Sequence, residues 1–449
     1  MEKRCQEPFL VRWAGLIAFC LALGAFLIYY SAKFGLDTPP SSTGDEASYD
    51  SLGWQLSHGH GFTLDFDDPQ FRAAYDRAAA ENPRLFTLGS FREGPITLRP
   101  PLFPLVISVT DWLFGRQFWA VRVFNAAAMA ATCGLIVHCA ARFAGIVPAG
   151  ISVLLFVVVD VRPRLFGRAI LTEALATLLV ALLAITLINA QRTKQRRWVA
   201  LAGLLAGLSI LARTAFALWL PGLLVIVFLV FRRPTESAST GNAARACGLF
   251  VGVALLTASP WMIRNCLVLE SFRPLGTQGM TELSAGYSDA AYEHDGVWTN
   301  LATTGFFDDV LTPQMTAVEA ELATADFSSR RALEWIDTHP GKTLLLIPLK
   351  LYSEFRPYRV GTAIVSVLAL IGLATLARRP EGKILIGLIL SCAAAVAATW
   401  SVEGRFLVSL LFVFHVSAAV GLCRLVGALT GVRSIAGSRP AARTTDRFG

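Results

Sequence analysis

The sequence predicts an all-α, multi-pass membrane protein. Charged residues make up 16% of its 449 residues, against about 25% in soluble proteins. Hydrophobic residues reach 54%, and mean hydropathy is +0.54. Several apolar runs extend for about 17 residues or more, long enough to cross a hydrocarbon core about 30 Å thick. The charges are also partitioned unequally among the segments that join these runs, and this partition fixes the orientation.

Ten spans are predicted, at residues 12–32, 117–141, 145–160, 168–190, 198–212, 214–231, 245–263, 361–377, 383–400 and 404–428. The first follows Lys3, Arg4 and Arg12. It is long for a signal-peptide core and no A-x-A cleavage pattern follows, so it reads as an uncleaved span. The segments at 2–12, 142, 191–197 (QRTKQRR), 232–245, 378–383 (RRPEGK) and from 433 onward hold about three bases for each acid, the positive-inside signature. The two long connections, 33–116 and 264–360, carry more acids than bases and therefore face outward. The net charge of +8 belongs largely to the short inner segments. It sets topology and gives no reason to expect nucleic acid as a partner. Residues 1–432 read as one transmembrane domain and 433–449 as a disordered cytoplasmic tail.

Two apolar stretches, 100–114 (PPLFPLVISVTDWLF) and 343–355 (TLLLIPLKLYSEF), are too short to span. Counting either as a span would invert the charge pattern, so both read as helices lying in the outer interface. Helical spacing at Tyr49, Leu52, Gly53 and Leu56 predicts a helix after Asp45 that stops at H-G-H-G, 58–61. Further helices are predicted at 70–81, 313–323 and 328–338, with Asp326 capping the last. The eight cysteines form no C-x-x-C and no pair in the long connections, so neither a zinc site nor a disulfide framework is expected.

Ionisable residues near membrane depth are functional suspects. Asp45, in G-D-E-A-S-Y, has two readings: an N-cap, or a carboxylate facing a cleft. Glu46 falls in the first turn, where an acid suits the helix dipole. Arg99, in T-L-R-P-P-L, and Arg264, in S-P-W-M-I-R-N, are either snorkelling arginines or permanent cations for a phosphate. Glu173 opens a span in A-I-L-T-E-A-L, and Arg405 opens the last one beside Glu403, with which it could simply pair. Arg122, Asn125 and Arg213 read as structural. His58 and His60 give weak evidence for a metal. Asp45, Arg99, Glu173, Arg264 and Arg405 come from five distant parts of the chain, and the topology places all of them on one side at similar depth.

The order of motifs resembles the glycosyltransferase family 39 type of GT-C enzyme, a group that includes protein O-mannosyltransferases and lipid A aminoarabinose transferases. The matching pieces are G-D-E-x-x-Y, R-P-P-L-F-P, L-T-E, G-L-L-A-G-L-S-I-L-A-R-T, P-W-M-I-R-N, W-I-D-T-H-P-G-K and E-G-R-F, spread over most of the chain. The resemblance implies a GT-C-like bundle with interfacial helices and two long outer-face loops. It also implies a polyprenyl-phosphate-linked sugar as donor, a glycan, lipid or protein acceptor, and action at the outer face of a bacterial inner membrane. In that scheme Asp45, with Glu46 beside it, is catalytic. Asp45 removes the acceptor proton in an inverting transfer, and Arg99, Arg264 and Arg405 bind the donor phosphate. Glu173 orients the acceptor or adjoins a divalent metal, for which no ligand set is evident. No β-rich insertion is visible in the second loop, which disfavours the protein mannosyltransferase branch. The competing class, a transporter or lipid flippase, predicts mid-membrane charges or broken helices and repeated halves; the polar residues gather at the rim instead.

Overall fold

The computed structural model describes residues 9–89, 92–232 and 239–430. The predicted tail, and Lys3 and Arg4 ahead of the first span, lie outside the described residues. Helices occupy all ten predicted spans. Seven are long and apolar enough to cross a membrane: Trp13–Lys33, Phe118–Ala144, Glu173–Thr193, Thr214–Phe231, Thr240–Val268, Pro380–Ala398 and Phe406–Thr430. Two bent pairs bring the number among the described residues to nine at most. The tenth predicted span, Arg196–Ala212, has 17 residues, about 25 Å at 1.5 Å per residue and so short of the hydrocarbon thickness. It packs between Glu173–Thr193 and Ser239–Val268 all the same, and so belongs to the bundle.

The bent pairs have local causes. Ile146–Leu154 runs on into a π-helical turn, Leu155–Val159, and stops at Asp160; Arg162–Arg168 then leaves at 58°. Pro163 enforces a new helix start. Asp160 is fully buried there and takes a two-pronged bond from Arg162. The second pair, Pro340–Phe355 and Val360–Leu376, meets at 108° across Pro357. Pro340–Phe355 is thus an element separate from the following span, as its sequence predicts. It turns Leu344, Leu345 and Tyr352 outward.

The first long connection folds on itself. Glu46–Ser57 packs on the apolar helix Leu102–Phe114, whose Trp112, Leu113 and Phe114 are exposed. Asp68 caps Pro69–Glu81 by accepting from Gln70 N–H and Phe71 N–H. Thr63–Leu64 pairs antiparallel with Gly94–Pro95, the only strands among the described residues. In the second connection the structure corrects the prediction. One continuous helix, Ala317–Thr338, replaces the two expected at 313–323 and 328–338. Its cap is Thr316, in a capping box with Glu319. Asp326 lies mid-helix and caps nothing; it pairs instead with Arg273 at 2.7 Å.

The bundle closes where Val360–Leu376 crosses the last span, Leu411–Thr430. At the crossing Gly372 lies against Ser417 O and Gly421 against Leu368 O, so a Cβ at either position would strike a backbone carbonyl that cannot move alone. Gly421→Val should therefore destabilise the protein by about 1–3 kcal/mol and lower its thermal unfolding midpoint in detergent. Gly24→Ala, where nothing lies within 4 Å of the new Cβ, should leave the midpoint unchanged or slightly raised.

Candidate active site

Five ionisable side chains meet at one end of the bundle. Asp45 sits immediately before Glu46–Ser57, with αR backbone angles and no side-chain capping bond. The N-cap reading is therefore replaced: its carboxylate oxygens are turned away from the helix and taken by two arginines. Arg99 Nη2 donates to Oδ1 at 2.6 Å, and Arg405 Nη2 donates to Oδ2 at 3.0 Å. Arg405 also donates from Nε to Glu173 Oε1, and Arg213 Nη1 reaches the same oxygen at 2.8 Å. Arg405 is thus a bridge between the carboxylates of Asp45 and Glu173, which lie far apart in the chain.

Local folding explains each placement. Glu173 begins a span, so its side chain points into the rim of the bundle, where it is fully buried. Arg213 ends Arg196–Ala212 and turns into a 3₁₀ segment, Thr214–Trp219. Arg405 follows two residues with positive φ, Glu403 (50°) and Gly404 (86°), which reverse the chain just before the last span. Glycine accommodates that backbone without strain, whereas Glu403 does not. The reversal swings Glu403 outward to Arg356, 3.8 Å away, and Arg405 inward. The neighbour pairing of Glu403 with Arg405 is therefore not formed.

Exposure separates the roles open to these groups. Asp45 retains 28% of its side-chain exposure, Arg405 25% and Arg99 14%, while Glu173 has none. Arg213 keeps 15%, so Glu173 alone of the five is wholly withdrawn from a bound molecule. Three guanidinium groups (Arg99, Arg213, Arg405) face the carboxylates of Asp45 and Glu173, with Glu282 close to Arg99; their planar forks are suited to an anion. Burial by itself would raise the Asp45 pKa, but the guanidiniums of Arg99 and Arg405 outweigh it and hold the carboxyl well below the usual range. Tyr49 packs edge-on against Phe103 and lies under the Arg99 guanidinium.

The remaining candidates stand apart. Glu46 faces away from Asp45's partners and accepts from Ile170 N–H at 3.1 Å; burial raises its pKa against that bond. Arg264 lies outside the cluster. It donates to Ile96 O at 2.5 Å and Phe62 O at 3.1 Å and stacks over Trp261, stitching the first connection to the end of Ser239–Val268. Arg122 and Asn125 bond to carbonyls of Leu36 and Ala169. His60 bonds to Gln55 and His58 to Trp54 O. Among the described residues no three His, Cys, Asp or Glu side chains are grouped to hold a metal. The two carboxylates of the cluster, bonded to guanidiniums, form a donor set that does not fit a dication.

Arg213, read as structural from the sequence, pairs with the fully buried Glu173 and shares it with Arg405. Sequence reasoning missed Glu282, whose carboxylate accepts from Trp298 Nε1 at 2.5 Å near Arg99 and Asp45. Two buried glutamates behind the arginines were missed as well. Glu321 accepts from Thr97 N–H and from the Thr97 and Thr277 hydroxyls, and Glu354 accepts from the segment that carries Arg405. The available signal was an acid set among apolar helix neighbours.

Two outcomes follow. Glu173→Gln removes the charge that neutralises Arg213 and Arg405 in a buried setting; it should cost about 3–5 kcal/mol, read as a lowered unfolding midpoint. Asp45 has a depressed folded-state pKa, so the stability from its pairing is fully present above the unfolded value of about 3.9 and is lost only as pH falls through the lower folded value. Unfolding midpoints of wild type and Asp45→Asn should accordingly differ by a constant amount from neutral pH down to about pH 5.

Residues 98–263 match the family model described as dolichyl-phosphate-mannose-protein mannosyltransferase. No curated protein matches the chain in sequence. Among solved structures, the archaeal oligosaccharyltransferase AglB from Archaeoglobus fulgidus, in complex with an inhibitory peptide and a dolichol-phosphate, superposes with a TM-score of 0.53 at 13% identity, over 95% of this chain and 53% of that one. The same enzyme tethered to an acceptor peptide gives 0.54 at 14% identity, over 94% and 51%. This chain therefore spans about half the length of the oligosaccharyltransferase. ArnT from Cupriavidus metallidurans, bound to undecaprenyl phosphate, gives 0.43 at 15% identity, over 93% and 79%. With the helical bundle, this shared architecture shows a multi-pass membrane protein of the GT-C fold.

Proposed function

We propose that the protein transfers a sugar from a polyprenyl-phosphate-linked donor to an acceptor hydroxyl at the outer, periplasmic face of a bacterial inner membrane, with inversion and with Asp45 as general base. The observation that carries this reading is the partly exposed Asp45 carboxylate held between Arg99 and Arg405 at the acidic-loop end of a GT-C bundle. A dolichol-phosphate in the oligosaccharyltransferase structure supports a lipid phosphate as the anion.

The charge balance fits the chemistry. The acceptor O–H gives its proton to Asp45 as the oxygen attacks the anomeric carbon. The anomeric C–O bond breaks, and its electron pair goes to the phosphate oxygen. A singly charged diester becomes a monoester with about one more negative charge, which Arg99 and Arg405 are placed to stabilise. In the resting cluster the same arginines make Asp45 a weak base. A bound phosphate shares their donors, so the donor itself raises the basicity of Asp45 when the base is needed. Glu46, behind Asp45, supports that helix start. A small apolar pocket lined by Phe216, Trp219, Val396 and Phe406 adjoins Arg213 of the cluster.

The test is sugar transfer in membranes with a labelled polyprenyl-phosphate sugar pool, comparing wild type with Asp45→Asn at matched expression. The variant should lose about 10²–10⁴-fold in rate while remaining folded and inserted. Near-normal transfer by Asp45→Asn would remove it as the base. Arg99→Ala should weaken use of the donor, with a raised KM and a lowered kcat, because its guanidinium acts on both bound phosphate and leaving group.

A further inference from the structure

The segment that carries Arg405 is held by one buried carboxylate from elsewhere in the chain. Glu354, fully buried at the end of Pro340–Phe355, accepts at three points. Its Oε2 takes Ser401 Oγ at 3.0 Å and Val402 N–H at 2.8 Å, and its Oε1 takes Phe406 N–H at 2.8 Å. These bonds fall on both sides of the reversal at Glu403 and Gly404 and bracket Arg405 itself. Arg405 N–H bonds within the turn to Val402 O at 3.1 Å. Among the described residues no cation is bonded to Glu354, and its carboxylate is held by the donors of this one turn. A buried carboxylate carries a desolvation cost that a merely structural contact would not require.

We propose that Glu354 is a positioning residue: it fixes the 401–406 turn so that the Arg405 guanidinium reaches Asp45 and Glu173 together. The role rests on the proposed function of Asp45 only for its catalytic consequence; the geometric claim stands apart from it. It ties the surface helix Pro340–Phe355, which exposes Leu344, Leu345 and Tyr352, to the arginine that sets the charge state of Asp45. Loss of the three bonds frees the turn, and Arg405 then divides its time away from Asp45. Asp45 faces Arg99 and Arg405 directly, with Arg213, Tyr49, Glu173 and Glu282 around them. Of these, Arg405 alone is carried by the turn that Glu354 grips.

The experiment reads the protonation of Asp45 in the full-length protein in detergent, using the infrared carbonyl band that disappears in an Asp45→Asn background. In wild type Asp45 should stay ionised well below the pH at which a free aspartate takes its proton. In Glu354→Gln its titration should move up by about one unit or more, a tenfold or greater change in proton affinity. The acid limb of the transfer rate should move by the same amount. A purely structural loss would lower the rate at every pH without moving that limb. Gly404→Ala, which strains the turn through its positive φ and leaves Glu354 in place, is the second variant and should shift the titration in the same direction. An unmoved Asp45 titration in a folded Glu354→Gln or Gly404→Ala protein overturns the proposal. If Asp45→Asn leaves transfer unchanged, the proposed function fails while the infrared result still decides the role of Glu354.

Discussion

The pairing of Asp45 with Arg405 is the interaction on which the rest of the site depends. It joins the start of the first connection to the start of the last span, 360 residues apart in sequence. Because Arg405 also bonds to Glu173, the contact fixes three elements with one side chain. Arginine is suited to this work: its planar fork offers several donors in fixed directions and stays charged even when buried. Lysine at the same place would bring its donors from a single point of charge, without the planar fork.

The cluster also explains why the two long connections fold as compact layers. The first connection delivers Asp45 and Arg99 from ahead of the N-termini of two packed helices, Glu46–Ser57 and Leu102–Phe114. The second delivers the glutamates that anchor the arginine-bearing segments. Glu321 grips Thr97, two residues before Arg99, and Glu354 grips both sides of Arg405. A charge site in a membrane protein needs such support, because unpaired groups at this depth are expensive and a misplaced guanidinium finds another partner. The cost of burying these carboxylates is offset by donors that also set the geometry of the site.

Much of this was legible before the structure, and the reasons differ by residue. Asp45, Arg99, Glu173 and Arg405 could be grouped because charge asymmetry sets which ends of the spans face the same side, and the spans bring those ends together. Arg264 shared that logic and yet bonds to backbone carbonyls of the first connection, since depth constrains height along the bundle and not position around it. Glu403 and Arg405 looked like a pair because they are close in sequence; the left-handed turn between them sends the two side chains in opposite directions. Arg213 was hidden at a turn between spans, where a basic residue is also what topology alone would place. The capping role read for Asp326 failed because Ala317–Thr338 is continuous, a matter of packing against Thr277–Ser284 that local propensity does not carry.

The account turns on whether this cluster converts a lipid-linked phosphodiester into a monoester. Phosphorus NMR of a polyprenyl-phosphate sugar, incubated with purified protein and a membrane extract as acceptor source, reads that conversion directly. The account predicts that the diester resonance is replaced by that of polyprenyl phosphate with wild-type protein, and that it persists with Asp45→Asn. Persistence of the diester with the folded wild-type protein, or equal conversion by both proteins, would contradict it.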